Sequence, residues 1–234
     1  KMIIESGGPK FLDGSKHPFY IRIFKDRLSA KNYSGLVGTV RSDRHIPTGG
    51  KLYYFEITIE SGEDISIGLI PDTFAYNKQP GSLSGSVGYR SDAKLFCGEG
   101  SLGSEYGEHY GEGDVMGCGL FLETREMFFT KNGKCLGKIK RTIFKSLLKV
   151  YPCISLHGAT EEIRVNFGQC AFVYNTEIPL KELEQERVDR IHKVCVPVQL
   201  SHDLIRDYLL LHGYMHTLSA LTTATTGGER ERER

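Results

Sequence analysis

The sequence predicts a mainly β fold, an antiparallel β-sandwich followed by a small α-helical hairpin. Between residues 20 and 174 short apolar runs recur with turn residues between them. The 27 glycines supply the tight turns that so many short strands need. Helical periodicity is confined to the stretch after residue 176.

In chain order, strands are expected around Tyr20–Phe24, Leu52–Ile59 and Ile65–Ile70. Further strands are expected around Val115–Leu122, Glu126–Thr130, Tyr151–Leu156 and Glu162–Phe167. In the second of these runs Glu56, Thr58 and Glu60 alternate with Phe55, Ile57 and Ile59, which predicts one wet and one buried face. Lys131-Asn132-Gly133-Lys134 places Asn-Gly between two apolar runs, the strongest short hairpin signal.

Beyond residue 176 the texture changes. Lys181 to Lys193 is a polar run of good helix formers, broken by Pro197. Leu200, Leu204, Ile205, Tyr208 and Leu209 then fall on one helical stripe, with Gly213 placed as a left-handed cap. Tyr214, Leu218 and Leu221 form a second short stripe, so another helix is expected to pack back on the first. Two such short helices are marginal alone in water and must dock, self-association being the simplest solution. The domain reading is a sandwich with an N-terminal extension over 1–176, a charged helical linker over 177–198, a helical dimerisation motif over 199–226 and a low-complexity tail over 227–234.

Charge and composition exclude several classes. Lys+Arg 30 against Asp+Glu 29 leaves a net charge of +1, so no bulk field draws the chain to nucleic acid or acidic lipid. With 39% hydrophobic and 25% charged residues the chain is globular in composition, not disordered. The longest mostly apolar stretch, Val115 to Leu122, is far too short to cross a bilayer as a helix, and the first ten residues carry no secretory pattern. Neither nucleic acid nor a membrane is therefore expected as a partner. The expected location is the cytoplasm, with the nucleus as a second compartment.

The six cysteines lie no closer than 17 residues apart and mostly sit in apolar runs, which reads as reduced thiols serving as small core residues. No CxxC occurs, and His212 and His216 lack the acidic neighbour of an HExxH site, so no metal and no cofactor is expected. Asn32-Tyr33-Ser34 fits a glycosylation triplet that means nothing without secretion. Gly98 to Gly103 matches GxGxxG on paper, but Ser104-Glu105-Tyr106-Gly107-Glu108 follows where a helix would have to begin. Gly133 to Lys138 is one residue short of a Walker loop, and Ile139 replaces its Ser or Thr. No catalytic residue is assigned. Glu105, Glu108, Glu112 and Asp114 cluster in one loop where a glycosidase-like pair would fit, so a hydrolase using residues 105–114 stays open as an alternative.

Several segments together resemble a SPRY (B30.2-like) domain. Tyr53-Tyr54-Phe55-Glu56, Ile67-Gly68-Leu69, Val87-Gly88-Tyr89 and Gly113 to Cys118 stand in that family's order. Phe129 to Gly133, Tyr151-Pro152 and Val165 to Gln169 complete the series. Leu204-Ile205, Tyr208-Leu209 and Gly213-Tyr214 with Thr217 resemble a LisH motif. SPRY followed by LisH is similar to the family of the Ran-binding protein in the microtubule-organising centre (RanBPM), whose scaffold proteins belong to GID/CTLH-type ubiquitin ligases.

That resemblance implies a non-catalytic scaffold, the SPRY groove holding a peptide segment of a partner or substrate receptor and the LisH motif forming a homo- or heterodimer. Other ligase subunits are then partners; a stand-alone signalling or cytoskeletal adaptor is the alternative. The peptide-binding positions of SPRY domains fall here at Lys31, Asn32, Tyr33, Thr73, Phe96, Leu156 and His157. Tyr33 and Phe96 would be aromatic anchors, Lys31 and Asn32 polar orienters, and Tyr76 on the long Pro71 to Ser86 loop part of a groove wall. A peptide-binding branch of the family has Arg and Tyr where Asn32 and Phe96 stand, so its Asn-rich preference does not transfer. The LisH resemblance implies dimer contacts at Leu204, Ile205, Tyr208, Leu209, Tyr214, Leu218 and Leu221, the last standing where the family usually has Phe.

Overall fold

A computed structural model describes residues 7–98, 100, 102–139, 149–193 and 198–221. The chain divides into two compact units between Leu180 and Lys181.

Among the described residues the first unit holds thirteen strands in two antiparallel sheets. They are β1 (Ile21–Ile23), β2 (Ser29–Asn32), β3 (Gly38–Arg41), β4 (Leu52–Ser61), β5 (Ile65–Pro71), β6 (Val87–Arg90) and β7 (Lys94–Cys97). Then follow β8 (Ser104–Glu105), β9 (Val115–Phe121), β10 (Met127–Lys131), β11 (Lys134–Ile139), β12 (Val150–Leu156) and β13 (Glu162–Asn166). One sheet has the order β1-β2-β13-β4-β9-β10-β11, the other β3-β12-β5-β6-β7-β8. Their facing sides bury Phe55, Ile57, Ile59, Ile67, Leu69, Tyr89, Phe129 and Ile154, each worth ~1.5–3 kcal/mol relative to exposure. The expected sandwich is therefore present.

The hairpin at Asn132-Gly133 joins β10 to β11 with both residues at positive φ, 49° and 79°, the mirror-image turn that matches strand twist. The expected wet face of β4 is absent at Glu56, which is only 3% exposed. Residues 172–174 cross the outside of this sheet, where Phe172 and Tyr174 pack on Tyr54 and Tyr174 also on Phe128. Alternation along a strand identifies opposite faces, but it does not show that a later segment covers both. The strands β2, β3, β7 and β8 gave no clear sequence signal, because they are two to four residues long and rich in Ser, Lys, Gly and Thr.

On the outer face of the other sheet Ile70, Phe74, Tyr151 and Cys153 form a small second core with Tyr76 and Leu83. Cys118 and Cys153 are buried, and burial pushes both thiols up. Cys135 and Cys170 are exposed, so the core reading fails for these two, while Cys195 lies outside the described residues.

Helix α1 (Glu177–His192) starts where Asn175 Oδ1 accepts the Glu177 N–H at 3.0 Å, a side-chain cap. Helix α2 (Val198–Leu211) ends at Gly213, whose φ of 73° is the left-handed cap expected, and residues 215–221 form a third helix, α3. The His212 ring lies tilted against Tyr208, with centroids 4.5 Å apart, and 6.4 Å from Tyr214. No helix among the described residues is long and apolar enough to cross a membrane. The tail 227–234 lies outside the described residues.

Candidate interaction site

The loops at one end of the sandwich line an open cleft of about 790 Å³. It opens between the β4–β5 turn, the β6–β7 turn, the His109–Asp114 segment and the chain after β12. Function carried on loops held by a rigid sheet pair is the expected arrangement.

Glu161 ties two of these loops together. It is 3% exposed, its Oε1 accepts the Asp64 N–H at 2.8 Å, and its Oε2 accepts the His157 N–H. Burial pushes this carboxyl above its ordinary range, although backbone N–H groups of Gly158, His157 and Asp64 pull the other way. Gly62, at φ 104°, leaves the room Glu161 needs, since a Cβ there would lie 2.4 Å from its Cγ. The result is a fixed mouth in which His157 Nδ1 stands 2.6 Å from Asp64 Oδ2. Tyr110 braces the opposite wall, its hydroxyl lying 2.8 Å from the Ile65 carbonyl and 2.7 Å from that of Tyr89.

Arg90 is the cation of the cleft. On β6, Val87 and Tyr89 point into the core, so Gly88 and Arg90 face outward beside Phe96 of the neighbouring strand. The guanidinium lies 3.6 Å from the centre of the Phe96 ring, a cation–π contact worth roughly 0.5–2 kcal/mol. Its Nε is shielded from solvent with no hydrogen-bond partner among the described residues. Burial lowers the pKa of Arg90, and Asp92 and Asp64 act in the opposite direction. A half-buried Arg whose Nε is unpaired, ringed by Glu63, Asp64, Asp92 and Glu112, suits a ligand that offers both acceptors and donors, as a peptide does.

The sequence-derived partner residues divide sharply. His157 lines the cleft, and Phe96 supports Arg90 from beneath. Asn32 has no exposed surface; its amide donates to the Leu36 carbonyl at 2.8 Å and its Oδ1 accepts the Ser34 N–H at 3.0 Å. It therefore pins the Tyr33–Leu36 loop, touches no partner, and cannot be reached for glycosylation in the folded chain. Leu156 is likewise fully buried, in the main core, so no partner can meet its side chain. Lys31 pairs with Glu162 at 2.9 Å. Tyr33, 57% exposed, lines a different groove beside β1. Thr73 is exposed at the opposite end of β5 from His157, because Pro71 pairs with Val150 while Ile65 pairs with Leu156. Tyr76 belongs to the outer satellite core and not to a groove wall.

Arg90, Asp64 and Glu161 escaped the sequence reading. Period-two alternation after Val87-Gly88-Tyr89 puts Arg90 on the outer face, which was the one available signal.

The acidic loop does not assemble a proton donor from Glu108 and Asp114. Lys134, 2.9 Å away, holds the exposed Glu108 carboxyl below its ordinary range. Asp114 is raised by burial but lowered further by Asn132, the Gly111 N–H and Lys131, with a net downward shift. A general acid at neutral pH needs the opposite shift. Gly98, Gly100 and Gly103 all have positive φ and precede the strand β8, not a helix, while residues 99 and 101 of that motif lie outside the described residues.

Along the α2 stripe, Leu204, Ile205 and Tyr208 are exposed, as is Tyr214 beyond Gly213. Leu209 is buried, and Leu218 and Leu221 are half-buried.

This two-sheet fold with a loop-lined cleft at one end defines a SPRY-domain protein, a protein-binding module. The SPRY domain model matches residues 52–170. A human SPRY domain crystal structure aligns over 67% of this chain and 100% of its own, with TM-score 0.58 and 28% identity. The SPRY domain of human HERC1 shares the fold, with TM-score 0.52 at 19% identity over 68% of this chain and 99% of its own. The Ran-binding protein M homolog of Arabidopsis thaliana is 32% identical over 88% of this chain and 45% of its own length. Human Ran-binding protein 9 is 33% identical over 80% of this chain and 26% of its own. The chain belongs to the Ran-binding protein M family of SPRY proteins, and it spans less than half the length of these curated relatives.

Proposed function

We propose that this chain is a non-catalytic scaffold of a multisubunit GID/CTLH-type ubiquitin ligase. Its cleft at Arg90 and His157 holds a peptide segment of a partner or substrate receptor, and residues 199–226 act as a LisH dimerisation motif. The observation that carries the reading is the Arg90 guanidinium, half-buried over Phe96 with Nε unpaired, in a cleft whose mouth is fixed by Glu161. Such a site is pre-organised, so little ordering cost remains when a peptide binds.

The test is affinity purification of the full chain from its native cells, with Arg90→Ala and Phe96→Ala baits in parallel. Recovery of RING-type ligase subunits, with particular partners lost equally from both variants, is the expected result. Identical recovery by all three baits would refute the cleft. Absence of ligase subunits would leave a free-standing adaptor.

A further inference from the structure

We propose that the open edge of β1 is a second docking site, which takes an extended acidic peptide of a partner protein as an added strand. Among the described residues β1 is the outermost strand of its sheet and pairs only with β2. The Phe24 N–H donates to the Ser29 carbonyl at 2.9 Å and the Tyr33 N–H to the Tyr20 carbonyl at 3.1 Å. In an antiparallel pair alternate residues turn their backbone groups to opposite sides. Tyr20, Arg22 and Phe24 therefore bond toward β2, and the residues between them point outward. Of these outward groups the Ile21 N–H is taken by the Pro18 carbonyl at 3.0 Å. Among the described residues the Ile21 carbonyl and both backbone groups of Ile23 are unpaired and remain for an incoming strand. Edges of this kind are normally blunted or covered.

Apart from Gly14 and His17, the residues lining the groove beside this edge are apolar, aromatic or cationic. A groove of about 610 Å³ is lined by Phe19, Tyr20, Phe24, Tyr33, Arg22 and Arg27 among others, with no Asp or Glu in the lining. Phe19 is 96% exposed, an aromatic left in water where a partner would gain by covering it. From residue 16 to 31 the sequence has Lys16, Arg22, Lys25, Arg27 and Lys31 against Asp26 alone. The Asp26 carboxylate is occupied by the Leu28 and Ser29 N–H groups. Lys31 is paired with Glu162, Lys16 with Asp72, and Arg27 donates to the Leu12 carbonyl. Arg22 is exposed over Phe24 at 5.8 Å and has no ion-pair partner among the described residues.

These facts select the occupant. Strand addition supplies main-chain bonds that any sequence can make, and side chains flanking the edge set the choice. Here they ask for carboxylates opposite Arg22 and an apolar residue on Phe19. A second copy of this chain fits badly, since two β1 edges pairing about a two-fold axis would set Arg22 near its own counterpart.

The probe is a fluorescein-labelled nonapeptide alternating Asp or Glu with Val or Phe, titrated into the full chain by fluorescence anisotropy. Its comparisons are the same peptide with Lys for each acid, a backbone N-methylated version and an oligothymidylate of matched charge. The acidic peptide should bind at least ~10-fold tighter than the other three, weaken with salt, and lose ~10-fold or more on Arg22→Glu or Phe19→Ala. Both residues are exposed, so both variants should melt like the parent. Arg90→Ala should leave this binding unchanged, which separates the edge from the loop cleft. Equal binding of the Lys or N-methylated peptide, equal binding of the oligonucleotide, or indifference to Arg22→Glu would overturn the proposal. So would a halved mass of Arg22→Glu in sedimentation, which would make the edge a self-association surface.

Discussion

The carboxylate of Glu56 accepts the backbone N–H of Tyr174 at 2.9 Å, joining the middle of β4 to a segment 118 residues later. The same carboxylate accepts the Val173 N–H at 2.9 Å and the Tyr54 hydroxyl at 2.9 Å. Three donors converge on one buried acid, and together they hold Phe172 and Tyr174 over the outer aromatic layer. Glu56→Gln keeps the shape but replaces one acceptor with a donor, so one backbone N–H loses its partner. An unsatisfied buried N–H costs about 1–3 kcal/mol, and urea unfolding should show a loss of that size. An unchanged midpoint would mean that the strap at 172–174 is held by aromatic packing alone.

Gly117 on β9 lies directly beneath this arrangement. A Cβ there would sit 1.9 Å from the Tyr54 hydroxyl and 2.4 Å from Thr130 Oγ1, and those two oxygens are bonded to each other at 2.7 Å. Gly117→Ala should therefore displace Tyr54 and break its bonds to Glu56 and Thr130. Several kcal/mol of stability should go, on the order of 2–4, read as a lower melting temperature.

Arg41 is buried on β3, stacked 3.9 Å from the Tyr151 ring centre and bonded to Asp72 at 2.8 Å. The hydrogen bond from Arg41 holds the Asp72 carboxyl below its ordinary 3.8. A carboxyl lowered by folding adds stability above its unfolded pKa, and that stability is lost as pH falls through the folded value. Asp72→Asn should thus cost about 1 kcal/mol at pH 7, a figure kept small because Asp72 is half-exposed. The difference from the parent should shrink below pH 3.8 in matched urea titrations. A pH-independent difference would point to packing in place of charge.

In the C-terminal unit the exposed Leu204 and Tyr208 are one helical turn apart on α2. If residues 199–226 dimerise, Leu204→Asp with Tyr208→Asp should give a monomer by light scattering. Its β-type circular dichroism should persist, because both changes lie outside the sandwich unit. An unchanged mass would remove the LisH assignment.

The sandwich was legible because its long strands, β4, β5, β9, β10 and β12, carry dense apolar patterns and the Asn132-Gly133 turn has a fixed chemistry. Helix α2 and its Gly213 cap were legible for the same reason, local periodicity joined to a residue with special backbone freedom. The site was less so. Asn32 and Leu156 sit at family positions, yet whether such a residue faces solvent depends on loops packed over it. Arg90 and Glu161 matter through neighbours distant in sequence, Phe96 on the next strand for one and Asp64 for the other. Pairings of that kind arise only when the two sheets close.

The family match ends at residue 170, whereas the strap that seals the outer face of β4 begins at Phe172. A fragment cut at the C-terminal end of that match would leave behind the cap of its own aromatic layer. Tyr54 and Phe128 would face water, and Glu56 would retain only the Tyr54 hydroxyl of its three donors. The structural boundary of the module thus lies a few residues beyond its recognisable one, and loss of the segment past it should bare an aromatic face that other surfaces stick to.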